Sequence, residues 1–397
     1  MTMTATEAPP QGAPAGKGGK GGKNDQVVAA RPFVTGTRTL ESEVYTATAT
    51  QTTSTQALTP YEFQVDGYLS GALIRVTATA ATNAATVAFA ADGPFSVLQS
   101  VIVEDIGGKQ ILGPLSGWQL YVLNRFGGFV HNADAKANGI YTVTAGAGAT
   151  GGSYRFTLRV PIQVRRRDAM GSLPNRNASA TFKLKIVLNQ SSAVYTTPPT
   201  NAPSINVQIQ QHGWATSDNR DYKGNAVSPT PNGVGSLLYT DVETIQLSAG
   251  AFNQRMSTFG GLLRVLIFEL RDANGSRAQG ESDFPSLFEM EIDKVKTFSR
   301  SPLTWEYLMS EDYGLTSDAD STTAKNAKPD GVYVLHWLDD FGLQPGAENG
   351  FRYQAVTPST AIQLIGTIGG SGAHTLSITK NYMSPVNDDP RQLTGGR

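Results

Sequence analysis

The sequence predicts an all-β chain folded as two consecutive antiparallel sandwiches, each carrying one short helix. Three observations carry that expectation. Apolar and polar residues alternate over many short segments, the pattern of strands with one buried face. Clusters of Gly, Pro and Asn separate these segments, as turns do in sandwich folds. One phrase also occurs twice, PLSGWQLYVLNRFG from Pro114 to Gly127 and PLTWEYLMSEDYG from Pro302 to Gly314, about half the chain apart. At 397 residues the chain has room for two domains of roughly 150–200 residues each.

Taken in order, residues 1–35 read as a flexible arm. They hold Pro9, Pro10 and Pro14 and then GKGGKGGK, with nothing apolar enough to offset the entropy of ordering. Lys17, Lys20 and Lys23 make the arm basic and suited to an anionic surface, lipid headgroups or nucleic acid. The first sandwich is expected over 36–212. SVLQSVIVED (96–105) is a strand running into a turn at Gly107 and Gly108, which tolerate positive φ. Ser116 with Gln119 three residues on forms a capping box, so the segment up to Gly127 is helix-compatible. Tyr154, Phe156, Leu158 and Val160 alternate with Arg155, Thr157 and Arg159, and Phe182, Leu184 and Ile186 with Lys183 and Lys185; INVQIQ (205–210) does the same.

The polar, turn-rich stretch 213–236 reads as the connection between halves. The second sandwich is expected over 237–386. LLRVLIFEL (262–270) is its most apolar run, interrupted by Arg264 and Glu269. FEMEIDKV (288–295), GVYVLHWL (331–338) and HTLSITKNY (374–382) read as strands, and Ser301 with Pro302 at the first helical position starts a helix that stops by Gly314. Residues 387–397 read as a mobile tail. Trp118 and Trp305 are expected to anchor each helix against the edge of its sheet.

Composition narrows the function. Charged residues are only 16%, against a usual figure near 25%. A surface so poor in charge fits extensive self-association, because interface cores are depleted in charge; a Thr/Ala/Gly-rich β protein that uses hydroxyls for solubility fits as well. A net charge of −1 gives no global field for nucleic acid. The absence of cysteine excludes disulfides, thiolate metal sites and cysteine catalysis. No secretory signal pattern and no apolar run near 18 residues is present, so a soluble, non-exported chain is expected.

Reactive constellations are not legible either. His131, His212, His336 and His374 form no metal-binding spacing. GAGATG (146–151) matches GxGxxG, but a strand follows it where a dinucleotide site needs a helix, so it reads as a turn. Asp272-Ala273-Asn274-Gly275 reads as a hairpin turn rather than a calcium loop. Arg165-Arg166-Arg167 is the sharpest charge run, a candidate subunit contact through carboxylates of a neighbour, with an exposed strand end as the plain alternative. No catalytic residue, cofactor or metal is expected.

The run DGPFSVLQSVIVED…GPLSGWQLYVLN (92–124) resembles the strand, loop and Gly-Trp helix of double jelly-roll major capsid proteins from tailless, membrane-containing double-stranded DNA phages, the tectiviruses. GAGATGGSYRFTLRVPI (146–162), SPLTWEYL and KPDGVYVL (328–335) are similar to that family's segments in family order, intermittently from about 55 to 385; GKGGKGGK has no counterpart. The resemblance implies two eight-stranded jelly rolls per chain, a pseudo-hexagonal homotrimer, and a trimer–trimer lattice that tiles an icosahedral shell. It implies other capsid proteins at the vertices and an internal lipid membrane facing the N-terminal region. It also implies a virion protein assembled in the host cytoplasm, with no enzymatic activity and no sequence-specific nucleic-acid binding. Loops at the outer end, GAGATGG and 316–330, are the candidates for towers. The alternatives are a carbohydrate-binding or carbohydrate-cleaving β-sandwich protein and a surface adhesin.

Overall fold

The computed structural model describes residues 30–130, 134–277, 280–284, 286–338 and 353–384. Lys17, Lys20, Lys23, His131 and the 387–397 tail lie outside them.

Alternation does what it predicts in the first half. Tyr154–Pro161 buries Tyr154, Phe156, Leu158 and Val160 and turns its polar residues outward. It joins a sheet in which Thr39–Thr50, Ser204–Trp214, Tyr68–Thr79 and Tyr154–Pro161 lie side by side, all antiparallel. The second sheet holds Gln56–Ala57 with Tyr61–Glu62, then Lys183–Leu188, Leu98–Glu104 and Gln110–Leu115. Counted along the chain, the two sheets run in strand order 1-8-3-6 and 2-7-4-5. That crossing order, with strands passing from one sheet to the other, is a jelly roll. A small third sheet of Tyr195–Thr197, Asn83–Phe89 and Gly146–Gly148 caps the end opposite the chain's entry. GAGATG is therefore part strand and part turn.

The second half repeats the order with fewer, longer strands. Residues 237–248 of Leu237–Arg255 pair with residues 373–384 of Ile362–Ser384, and 250–255 pair with 363–368, with the register shifting between Ser248 and Gly250. Each long strand thus serves both sheets and bends at the corner. Gly250 at φ 106° and Gly370 at φ 70° supply conformations that other residues rarely adopt. Gly261–Arg271 and Val332–His336 complete one sheet, and Phe288–Ile292 and Val295–Arg300 the other. The order is again 1-8-3-6 and 2-7-4-5. FEMEIDKV does not form one strand: Asp293 and Lys294 both take positive φ, a two-residue hairpin turn, and the chain doubles back.

Each roll inserts its helix between its fifth and sixth strands. Gly117–Phe126 starts on the capping box, Ser116 Oγ accepting from Gln119 N at 3.1 Å and Gln119 Oε1 from Ser116 N at 2.9 Å. Pro302–Tyr313 is capped by Ser301 and ends at Gly314, φ 60°. The rolls meet where Leu112 pairs in parallel with Thr240, which makes the inner sheets of the two rolls formally continuous.

Candidate functional site

The surface that the two rolls share is where the chain concentrates its buried charge. Gly261–Arg271, the third strand of the second roll, is buried without interruption from Leu263 to Leu270. Phe268 faces its own roll, packing on Phe288 and Trp305. The alternate residues Ile267, Glu269 and Arg271 face the first roll. The two charges that break up LLRVLIFEL act across that boundary. Arg264, fully buried, binds Asn381 in its own sheet, and its Nη2 donates to the Gly127 carbonyl of the first roll at 3.4 Å. Glu269 pairs with Arg271, whose Nη2 reaches Asp92 Oδ2 of the first roll at 2.6 Å. Arg277 Nε binds Asp92 Oδ1 at 2.8 Å, and the same guanidinium binds Asp320. Lys136 Nζ of the first roll meets Asp320 Oδ1 at 3.3 Å and the Ser321 carbonyl at 2.6 Å.

Such burial is tolerable only because each charge is paired. Desolvation holds Glu269 above the ordinary carboxylate value, opposed by Arg271. Burial pulls the Arg277 guanidinium down, and Asp320 with Asp92 more than reverses it. Lys136 is held below the usual lysine value by burial, against Asp320 and Asp134. The last carbonyls of the Gly117–Phe126 helix, which lack partners within the helix, are satisfied from the second roll: Tyr313 Oη donates to the Phe126 carbonyl at 3.0 Å, beside Arg264 on Gly127.

The two tryptophans do different work. Trp305 lies inside the second roll among Phe268, Phe288, Phe298 and Tyr333, and its Nε1 donates to the Val334 carbonyl at 2.7 Å. Trp118 lies at the seam, with the Arg277 guanidinium 4.2 Å from its ring centre and Tyr121 beside it. Counted from the capping serines, Trp118 is the second helical residue and Trp305 the fourth, so the repeated phrase is not in helical register. The position equivalent to Trp118 is Leu303.

The arginine run does not act as a unit. Arg165 is folded inside and binds Asp168 Oδ2 at 2.6 Å, whereas Arg166 and Arg167 are exposed. They stand at the end of the first roll where the described chain begins, near Arg31 and Phe33, and share that end with exposed Arg38, Arg176 and Arg220.

Sequence reasoning missed the seam. Asp92, Lys136, Arg277 and Asp320 lie outside the strands and long helices, in a turn, a single 3-10 turn of helix and two connecting segments, where isolated charges read as solvated. Only the interruption of an apolar run by Arg264 and Glu269 signalled buried charge. Among the described residues no group of three or more His, Asp or Glu is placed to hold a metal. His336 instead pairs with Asp312 at 3.0 Å and His374 with Asp283 at 3.1 Å.

No family model matches the chain. No curated protein matches it either. Solved structures do. The crystal structure of the STIV MCP superposes with a TM-score of 0.55 at 12% identity, covering 86% of this chain and 97% of its own. The atomic structure of Sulfolobus Turreted Icosahedral Virus gives 0.55 at 12%, covering 87% and 90%. The quasi-atomic PBCV-1 virus capsid gives 0.52 at 12%, covering 92% and 100%. At such identity the likeness defines the fold, and it defines it over nearly the whole of each chain: a double jelly roll.

Proposed function

We propose that the chain is a major capsid protein: a structural, non-enzymatic subunit that forms pseudo-hexagonal homotrimers tiling an icosahedral shell over an internal membrane. The observation that carries this reading is the exact repetition of strand order 1-8-3-6 and 2-7-4-5 in two rolls fused through a buried seam. Two like wedges in one rigid chain give a threefold assembly a sixfold outline, which packs a flat facet. The solved capsid structures that share the architecture support it. The strands of the first roll fall within 39–214 and those of the second within 237–384, in keeping with a division at 213–236.

In this reading the shell is the chain's place in the virion, after assembly in the host cytoplasm, with other capsid proteins at the vertices. The end of the first roll that carries Arg38, Arg166, Arg167, Arg176 and Arg220 faces the membrane, together with the arm bearing Lys17, Lys20 and Lys23. Each basic side chain near an anionic bilayer contributes about 1 kcal/mol. Arg166 and Arg167, rather than Arg165, are the arginines available to a neighbouring subunit. The small sheet around Gly146–Gly148 and the 316–330 loop point outward.

Purified protein tests this reading by light scattering after size-exclusion chromatography. A species at three times 42.2 kDa is expected. A monomer that binds glycans instead would refute it. Deleting residues 1–25 is expected to leave the trimer intact and to weaken flotation with anionic vesicles.

A further inference from the structure

We infer that the exposed face of the second-roll helix, Leu303 and Tyr307, docks on the outer face of the first roll's Thr39–Thr50, Ser204–Trp214, Tyr68–Thr79, Tyr154–Pro161 sheet in the next copy of the chain. The inference rests on the assembly proposed above and assigns the surfaces through which it closes.

The chain shows how its own rolls pack, and one side of that contact is left unused at each end. The Gly117–Phe126 helix is almost wholly buried, with Trp118 2% and Val122 3% exposed. These are its second and sixth residues after Ser116, one turn apart on one face. Trp118 is covered by Arg277 of the second roll. The second and sixth residues after Ser301 are Leu303 and Tyr307, and they are 63% and 68% exposed. Leu287 and Val295 are exposed on the same roll, at 50% and 68%, beside the strands that precede this helix. Leu303 and Tyr307 are therefore open to solvent where their counterparts Trp118 and Val122 are sealed.

The complementary surface is bare in the first roll. The third and eighth strands of each roll slip register once, around His212 and Gly213 in the first roll and between Leu263 and Val265 in the second. Aligned on that slip, Leu73 and Arg75 occupy the places of Ile267 and Glu269. Ile267 and Glu269 are buried under the neighbouring roll, whereas Leu73 and Arg75 line an open groove of about 410 Å³ with Arg159, Ile140, Gln208 and Gln210. Charge fits as well. The Pro302–Tyr313 helix carries no basic residue; of its carboxylates Glu306 is paired to Lys328 and Asp312 to His336, and Glu311 is exposed one turn beyond Tyr307. The sheet face presents Arg75, Arg155 and Arg159, with Glu43 paired to Arg75 at 2.9 Å. A heterologous contact of this kind repeats head to tail and closes into a ring if its rotation divides the circle. Copying the rotation that relates the two rolls of one chain makes a ring in which every roll meets its neighbours alike.

Two measurements on the full chain test the assignment. Leu303→Asp combined with Tyr307→Asp is expected to move the protein from three times 42.2 kDa to 42.2 kDa in light scattering, with an unchanged far-ultraviolet circular dichroism spectrum because both positions are exposed. Tyr222→Asp, 89% exposed at the far end of the first roll, is the control and stays at the wild-type mass. Second, p-benzoylphenylalanine in place of Tyr307 is expected to photocrosslink between copies to peptides containing Leu73–Thr77, Thr157–Arg159 or Gln208–Gln210. A wild-type oligomer whose mass survives the double substitution, or whose crosslinks fall elsewhere or do not form, overturns the docking assignment and leaves the capsid reading standing. A wild-type chain that is monomeric and builds no shells overturns both.

Discussion

The third strands of the two rolls occupy the same place in the same fold, yet they are read by the solvent in opposite ways. Tyr68–Thr79 alternates: Ala72, Ile74 and Val76 face the core while Leu73, Arg75 and Thr77 are half-exposed. Gly261–Arg271 is buried on both faces, because its outer side is covered by the sister roll. A strand with two dry faces needs a near-continuous apolar sequence, and its charged members must find partners across the boundary. Arg264 does so on the Gly127 carbonyl, and Glu269 through Arg271, which reaches Asp92. The difference teaches where the chain has already completed a contact within itself and where the equivalent face is left open.

The largest effect expected from breaking that contrast is at the seam. Arg277→Ala removes the cation that Asp92 and Asp320 share and leaves each with a single partner, Arg271 and Lys136; breaking a buried pair costs up to about 3–5 kcal/mol. Urea unfolding followed by tryptophan fluorescence is the check; a change under about 1 kcal/mol, the range of exposed pairs, would show that water reaches the seam. A paired comparison comes next. In the dissociated chain Ile267→Ala is expected to cost about 2–5 kcal/mol, as for a buried aliphatic. The equivalent Leu73→Ala is expected to cost under about 1 kcal/mol, as surface changes do. Equal losses would mean that the two faces are not differently covered.

The smallest effect concerns pH. Because the Glu269 carboxyl is raised in the folded state, folding takes up protons there, and stability falls as pH rises from its ordinary value to its folded value, then levels off. Glu269→Gln removes this titration. The stability of the variant relative to wild type is therefore expected to rise across that window and to stay constant above it. A flat difference in denaturant titrations from pH 4 upward would show that the folded carboxyl is not raised.

Much of this architecture was legible from local pattern. Alternation placed the strands around Tyr154 and Lys183, and the Ser116–Gln119 box and the Ser301-Pro302 start placed both helices. What local pattern does not carry is the bend in a continuous strand. Leu237–Arg255 and Ile362–Ser384 each supply two strand positions around a Gly-centred corner, and no break in the alternation marks where one position ends and the next begins. The turn at Asp293 and Lys294 escaped notice because neither residue is Gly or Asn; Asp293 is held there by its side chain, whose Oδ1 accepts from Ala361 N at 2.8 Å. The seam is a property of pairs such as Lys136 and Asp320, distant in sequence, and no window sees both.

Cryo-electron microscopy of the purified oligomer tests the central claim most directly. Six rolls in a ring are expected, with the contact between chains superposing on the contact between the two rolls of one chain, and Leu303 and Tyr307 seated where Trp118 and Val122 sit. A ring whose inter-chain contact uses another face of either roll, or a closed dimer, would contradict it.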